Sequence, residues 1–174
     1  MRRVFEKTLF LGLVFIVGAL VSCKHDPVVS ESNIDRELYE MALKTDGYTW
    51  FKNSSIPLGR SSGSGHSAPL LRTRFNNIAS AKLDSAGRII DGSVFPTGSV
   101  IVKELLNADQ SLERYAMLFK DPTNQYADAN GWVWGYIFPG GDVSISATEK
   151  GGVCIGCHSQ SGNIDYMLMN KFYP

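Results

Sequence analysis

Gly131-Trp-Val-Trp-Gly-Tyr-Ile-Phe138 alternates without a break. Trp132, Trp134, Tyr136 and Phe138 fall on one side of an extended chain, and Val133, Gly135 and Ile137 on the other. Side chains of a strand point to opposite faces in turn, so this period of two predicts a strand. Pro139-Gly-Gly141 ends it, because neither residue type continues a ladder well.

Working outward, two more segments carry a strand signal. Ser99 to Leu105 is rich in valine and isoleucine, and Leu112 to Lys120 alternates loosely. Leu70 to Asn76 reads as a further strand and Ile78 to Leu83 as a short helix. Gly47 to Lys52 fits a short strand. Asn53 to Pro69 is rich in serine and glycine and reads as a loop. Nearer the start, Ser32 is a candidate helix cap. Ile34, Leu38, Met41 and Ala42 then recur at helical spacing, which predicts a helix over 33–44. The sequence therefore predicts an α+β domain, mainly β, with an antiparallel sheet, flanking helices and a separate C-terminal segment.

The first 22 residues read differently. Met1-Arg-Arg3 and Lys7 are basic, Leu9 to Val21 is apolar and uncharged, and Leu20-Val-Ser-Cys23 resembles a lipoprotein cleavage box. The expected layout is a signal peptide over 1–22, a lipidated tether over 23–31 starting at Cys23, and one domain over 32–174. The mature protein would be membrane-anchored through its lipid, facing the periplasm or the cell exterior. Seventeen basic residues balance seventeen acidic ones. With no basic cluster beyond the extreme N-terminus, nucleic acid is not an expected partner.

Assigning Cys23 to the lipid leaves Cys154 and Cys157. They sit in Cys154-Ile-Gly-Cys157-His158, the attachment signature of c-type haem. Two thiols three positions apart on one helical turn reach the two vinyl groups of a porphyrin, and the adjacent histidine faces the iron. A disulfide, a thioredoxin-like pair and a chance match are the alternatives. A thioredoxin motif belongs early in a βαβ unit, whereas this one lies 16 residues from the C-terminus. So short a tail would have to double back to offer Met167 or Met169 to the far side of the iron. Both methionines, and Met117 on its strand, are read as core. His66 is read as a solvated loop histidine. The expectation is one haem c, with His158 as its metal ligand and an open position opposite, suited to small ligands.

Lys103 stands in the valine-rich strand with Ile101 and Leu105 on its own side and Val100, Val102 and Glu104 on the other. Two placements remain open: an edge strand with its ammonium in water, or a buried lysine that is neutralised, paired or used covalently.

Four blocks, in this order and spacing, resemble the cytochrome P-460 family, whose relatives include the cytochromes c′-beta. They are Phe95-Pro-Thr-Gly-Ser-Val-Ile-Val-Lys-Glu-Leu105, Gly131 to Phe138, Cys154 to His158, and Lys171-Phe-Tyr-Pro174. The resemblance implies a mostly antiparallel β homodimer that oxidises hydroxylamine and passes electrons to another cytochrome. It also implies a lysine joined to the porphyrin, at Lys103, and a proton-relaying glutamate nine residues before the axial histidine, at Glu149. A distal arginine in the early strand would be Arg72. The c′-beta relatives imply an alternative: a nitric-oxide-binding protein without turnover, its distal face built partly from the aromatic side of the 131–138 strand. A plain electron carrier with methionine as sixth ligand is the third reading.

Overall fold

The computed structural model describes residues 33–174. The predicted leader, tether and Cys23 lie outside the described residues. Among those residues no helix is long and apolar enough to cross a membrane.

The chain runs α1 (Asn33–Leu43), β1 (Thr49–Trp50), β2 (Leu58–Gly59), β3 (Leu70–Phe75), α2 (Asn77–Ser80), β4 (Val100–Leu106), β5 (Leu112–Lys120), β6 (Trp132–Ile137), β7 (Val143–Ile145), α3 (Ile155–His158) and α4 (Met169–Phe172). The strands make one antiparallel sheet of seven, in the order β1-β3-β4-β5-β6-β7, with β2 also pairing β3. It is a mainly β architecture with a few helices, as the strand patterns predict. β5 matches its expected bounds, and β4 and β6 differ from theirs by a residue or two. The 47–52 strand is shorter than expected: two residues, then a 3-10 turn in which Lys52 has φ 54°. β7 carries little alternation in its three residues, and the sequence reading passes over it.

Alternation along the strands divides the interior in two. Val100, Val102, Tyr115, Met117, Val133 and Ile137 pack under α1 against Ile34, Leu38 and Ala42. Leu38 has no exposed surface, and burying one leucine is worth about 2 kcal/mol. Gly135 makes this approach possible, since a Cβ there would lie 2.8 Å from Leu38 Cδ1. On the opposite side, Phe75, Ile101, Leu105, Leu118, Trp132 and Trp134 face the C-terminal segment through Ile164, Met167 and Met169. Met117, Met167 and Met169 are buried.

Charges also sort by face. Glu104 points to the α1 side, where it pairs with Arg72 at 2.5 Å and with the buried Arg74. Lys103, one residue earlier, points to the other side.

Candidate functional site

The sheet builds the floor of a cavity from two cross-strand rows. Pairing sets Thr73 opposite Lys103, Lys103 opposite Ala116, Ala116 opposite Tyr136, and Tyr136 opposite Ile145. The next row on that face is Phe75, Ile101, Leu118 and Trp134. Ala116 is the small residue between Lys103 and Tyr136, and it leaves a hollow there. The cavity has a volume of about 350 Å³, within the range of small-molecule and cofactor sites.

The C-terminal segment closes the cavity from above. Backbone bonds from Cys154 N to Gly151 O at 2.8 Å and from His158 N to Cys154 O at 3.1 Å wind α3 into a single turn. That turn brings Cys154, Cys157 and His158 to the same wall. Both cysteines carry free thiols, Cys154 half-buried and Cys157 exposed. Burial, and then the charge of Glu149, push the Cys154 thiol pKa up.

His158 is held on two sides. Its Nδ1 lies 2.7 Å from the carbonyl oxygen of Tyr166. A carbonyl only accepts, so Nδ1 carries the proton and Nε2 keeps its lone pair. The ring packs edge-on to Trp134, with centroids 5.1 Å apart. Trp134 in turn donates its indole N–H to Asp128 at 2.8 Å and stands 5.4 Å from the Tyr166 ring. Burial, then the charge of Lys103, lower the His158 pKa to about 4, so the imidazole is neutral near pH 7.

The turn that supplies the Tyr166 carbonyl has its own anchor, which sequence reasoning missed. Asp165 accepts from Lys120 Nζ, from Trp132 Nε1 at 2.9 Å and from Phe95 N at 2.9 Å. These bonds hold Asp165 at φ 46° and Tyr166 at φ 70°, a left-handed region that side-chain-bearing residues avoid. Asp165 lies between an asparagine-isoleucine pair and a tyrosine, with no motif to mark it.

Lys103 lies inside the cavity wall. Burial lowers its pKa to about 8, and its Nζ is 3.3 Å from Nε2 of His66. Of the two placements left open by the sequence, the edge strand is excluded, because β4 pairs with a neighbour on each side; Lys103 is half-buried in the cavity wall. His66 differs from its expectation as a solvated loop residue. The 53–69 segment folds over the cavity and turns the imidazole inward, onto the Tyr136 hydroxyl. Burial and the charges of Lys103, His158 and Arg114 lower its pKa to about 2.

The other candidates lie elsewhere. Arg72 is on the α1 side of the sheet with Glu104, its guanidinium 4.9 Å from the Trp50 ring. Glu149 is exposed at the end of the Ala147–Glu149 3-10 turn. Asp35 places that turn by accepting from Ala147 N and Ser146 Oγ, both at 2.7 Å. Neither Arg72 nor Glu149 lines the cavity, whereas Arg114 does.

The donor set fits a porphyrin. One neutral imidazole is fixed by a backbone carbonyl, and two free thiols share its wall. Apolar groups (Leu71, Ile101, Leu118, Trp134, Met167, Leu168) supply most of the remaining lining. Among the described residues, no three His, Cys, Asp or Glu side chains cluster as a site for a bare metal ion. No protein-family model, curated protein or solved structure matches the chain.

Proposed function

We propose that this chain is an exported, lipid-anchored c-type haem protein that oxidises hydroxylamine or a related small nitrogen species and passes the electrons to another cytochrome. The observation that carries the reading is the convergence of Cys154, Cys157 and a carbonyl-oriented His158 on one largely apolar cavity. In this reading Cys154 and Cys157 hold one haem c by thioethers and His158 Nε2 is the iron's protein ligand. Bound there, the haem supplies an iron able to accept electrons from a small ligand.

The chain's own residues do the rest. Tyr166 O keeps the His158 ring in one tautomer, as outer partners of metal-bound histidines do. Trp134 blocks rotation of that ring. Lys103 and Tyr136 put a polar patch on an otherwise apolar floor, where a small nitrogen compound finds hydrogen-bond partners. Lys103 at this place supports the lysine–porphyrin bond that the cytochrome P-460 resemblance implies. The homodimer and the membrane location rest on that resemblance and on the leader sequence alone.

A second reading, a nitric-oxide-binding protein without turnover, is favoured by one observation. Glu149 and Arg72, the two groups a proton-coupled oxidation would use, stand outside the cavity wall. Hydroxylamine turnover by the haem-loaded protein, followed by reduction of an added cytochrome c, separates the two. Steady reduction supports oxidation. Tight nitric oxide binding with no hydroxylamine-dependent reduction supports the second reading.

A further inference from the structure

His66 occupies an unexpected place for a histidine in a Ser/Gly-rich segment. Its ring stacks on Tyr136, with centroids 5.7 Å apart and planes at 14°. Its centroid is 6.1 Å from that of His158, and the two planes cross at 76°. Two imidazoles on opposite sides of one metal ion, each bonded at about 2 Å, hold their ring centres roughly 6 Å apart. The observed separation meets that span.

The tautomer agrees. Lys103 donates to Nε2 of His66, so the proton sits on Nδ1 and the Tyr136 hydroxyl accepts it. Each of the two histidines therefore has Nδ1 engaged by a tyrosine oxygen, leaving Nε2 as the ligating atom. On His66 that nitrogen already faces a cation. The cavity wall carries His66, Lys103, Arg114 and His158 and no aspartate or glutamate. Its two imidazoles are the neutral nitrogen donors on that wall, and no carboxylate competes with them for a metal ion.

The segment bearing His66 is also tied down. β2 pairs with β3 at Leu58–Leu71, Arg60 N donates to Pro69 O at 2.8 Å, and the Tyr173 hydroxyl bridges Gly59 O and Ser61 N at 3.0 and 3.2 Å. Gly65, beside His66, comes up against the haem-bearing turn: a Cβ there would lie 3.6 Å from Cys157 Sγ.

We propose that His66 is the second axial ligand of the haem, so that the resting iron is bound by protein on both faces and a small ligand reaches it only when His66 is displaced. The assignment rests on the reading of Cys154, Cys157 and His158 as the haem attachment. It replaces the open distal position expected from the sequence with one guarded by a loop.

The test is spectroscopic and independent of turnover. Ferric protein matured with covalent haem should be low-spin by absorption and electron paramagnetic resonance. Near-infrared magnetic circular dichroism of the unmutated protein should show the charge-transfer band of a bis-histidine pair, which decides the matter even if a variant does not fold. His66→Ala should become high-spin and return to low-spin on adding imidazole, whereas Lys103→Ala should stay low-spin. A coloured protein that is high-spin, a band of another ligand pair, or a low-spin His66→Ala would overturn the assignment while leaving the haem reading intact. A colourless protein would overturn both.

Discussion

The carbonyl oxygen of Tyr166 lies 2.7 Å from Nδ1 of His158, and this contact turns an ordinary imidazole into a ligand with one defined free lone pair. It depends on a backbone conformation that Tyr166 would not choose alone, at φ 70°. Asp165 maintains it through Lys120, Trp132 and Phe95, so the orientation of the His158 ring is set by residues on the far side of the turn.

Asp165→Ala should therefore be costly. Lys120 and Asp165 are 8% and 9% exposed, and removing one partner of a buried pair costs about 3–5 kcal/mol. Urea unfolding should show a loss of that size. A change below about 1 kcal/mol would mean that the turn holds itself.

Gly151→Ala should disturb the other support of His158. Gly151 has φ +70°, and a Cβ there would lie 2.6 Å from Trp134 Cδ1. The left-handed backbone and the clash together should cost about 2–4 kcal/mol. The thermal midpoint should fall and the Trp134 environment change, read by near-ultraviolet circular dichroism. An unaltered spectrum would show that the indole is free to move.

Acid should weaken the protein prepared without haem. Free histidine titrates near 6.5, while in the fold His66 is lowered to about 2 and His158 to about 4, by burial first and then by the charge of Lys103. The unfolded chain thus binds protons that the folded chain refuses. That contribution is full above about pH 6.5 and is lost as the pH falls toward 4 and below. Urea midpoints should drop between pH 6.5 and 5, above the carboxylate range. A flat profile there would mean that both rings reach water.

The lysine–porphyrin bond has a direct readout. An unmodified Lys103 gives the tryptic peptides 89–103 and 104–114. The hydroxylamine-oxidising reading expects both to be missing, with a haem-bearing peptide spanning the two. Recovery of both in full yield would exclude the bond and favour simple ligand binding.

Sequence periodicity carried most of the sheet. The aromatic alternation of 131–138 placed Trp134 and Tyr136 on one face, and the same rule put Lys103 opposite in sense to Glu104, as observed. The attachment motif marked Cys154, Cys157 and His158. Contacts that depend on distant segments were not legible. Asp165 carries no local pattern, and His66 looked like a loop residue because serine and glycine report backbone freedom, not where a loop packs. Arg72 shares its strand with Thr73, and a one-residue step decides which side of the sheet a side chain reaches. Here that step sends Arg72 to Glu104 and away from the cavity.

Covalent attachment of haem at the C-terminal turn is tested most directly by intact mass. Protein co-expressed with haem-ligation machinery should gain the mass of one haem that survives denaturation, and Cys154→Ser combined with Cys157→Ser should lose it. A colourless product with two free thiols at these positions would contradict the account.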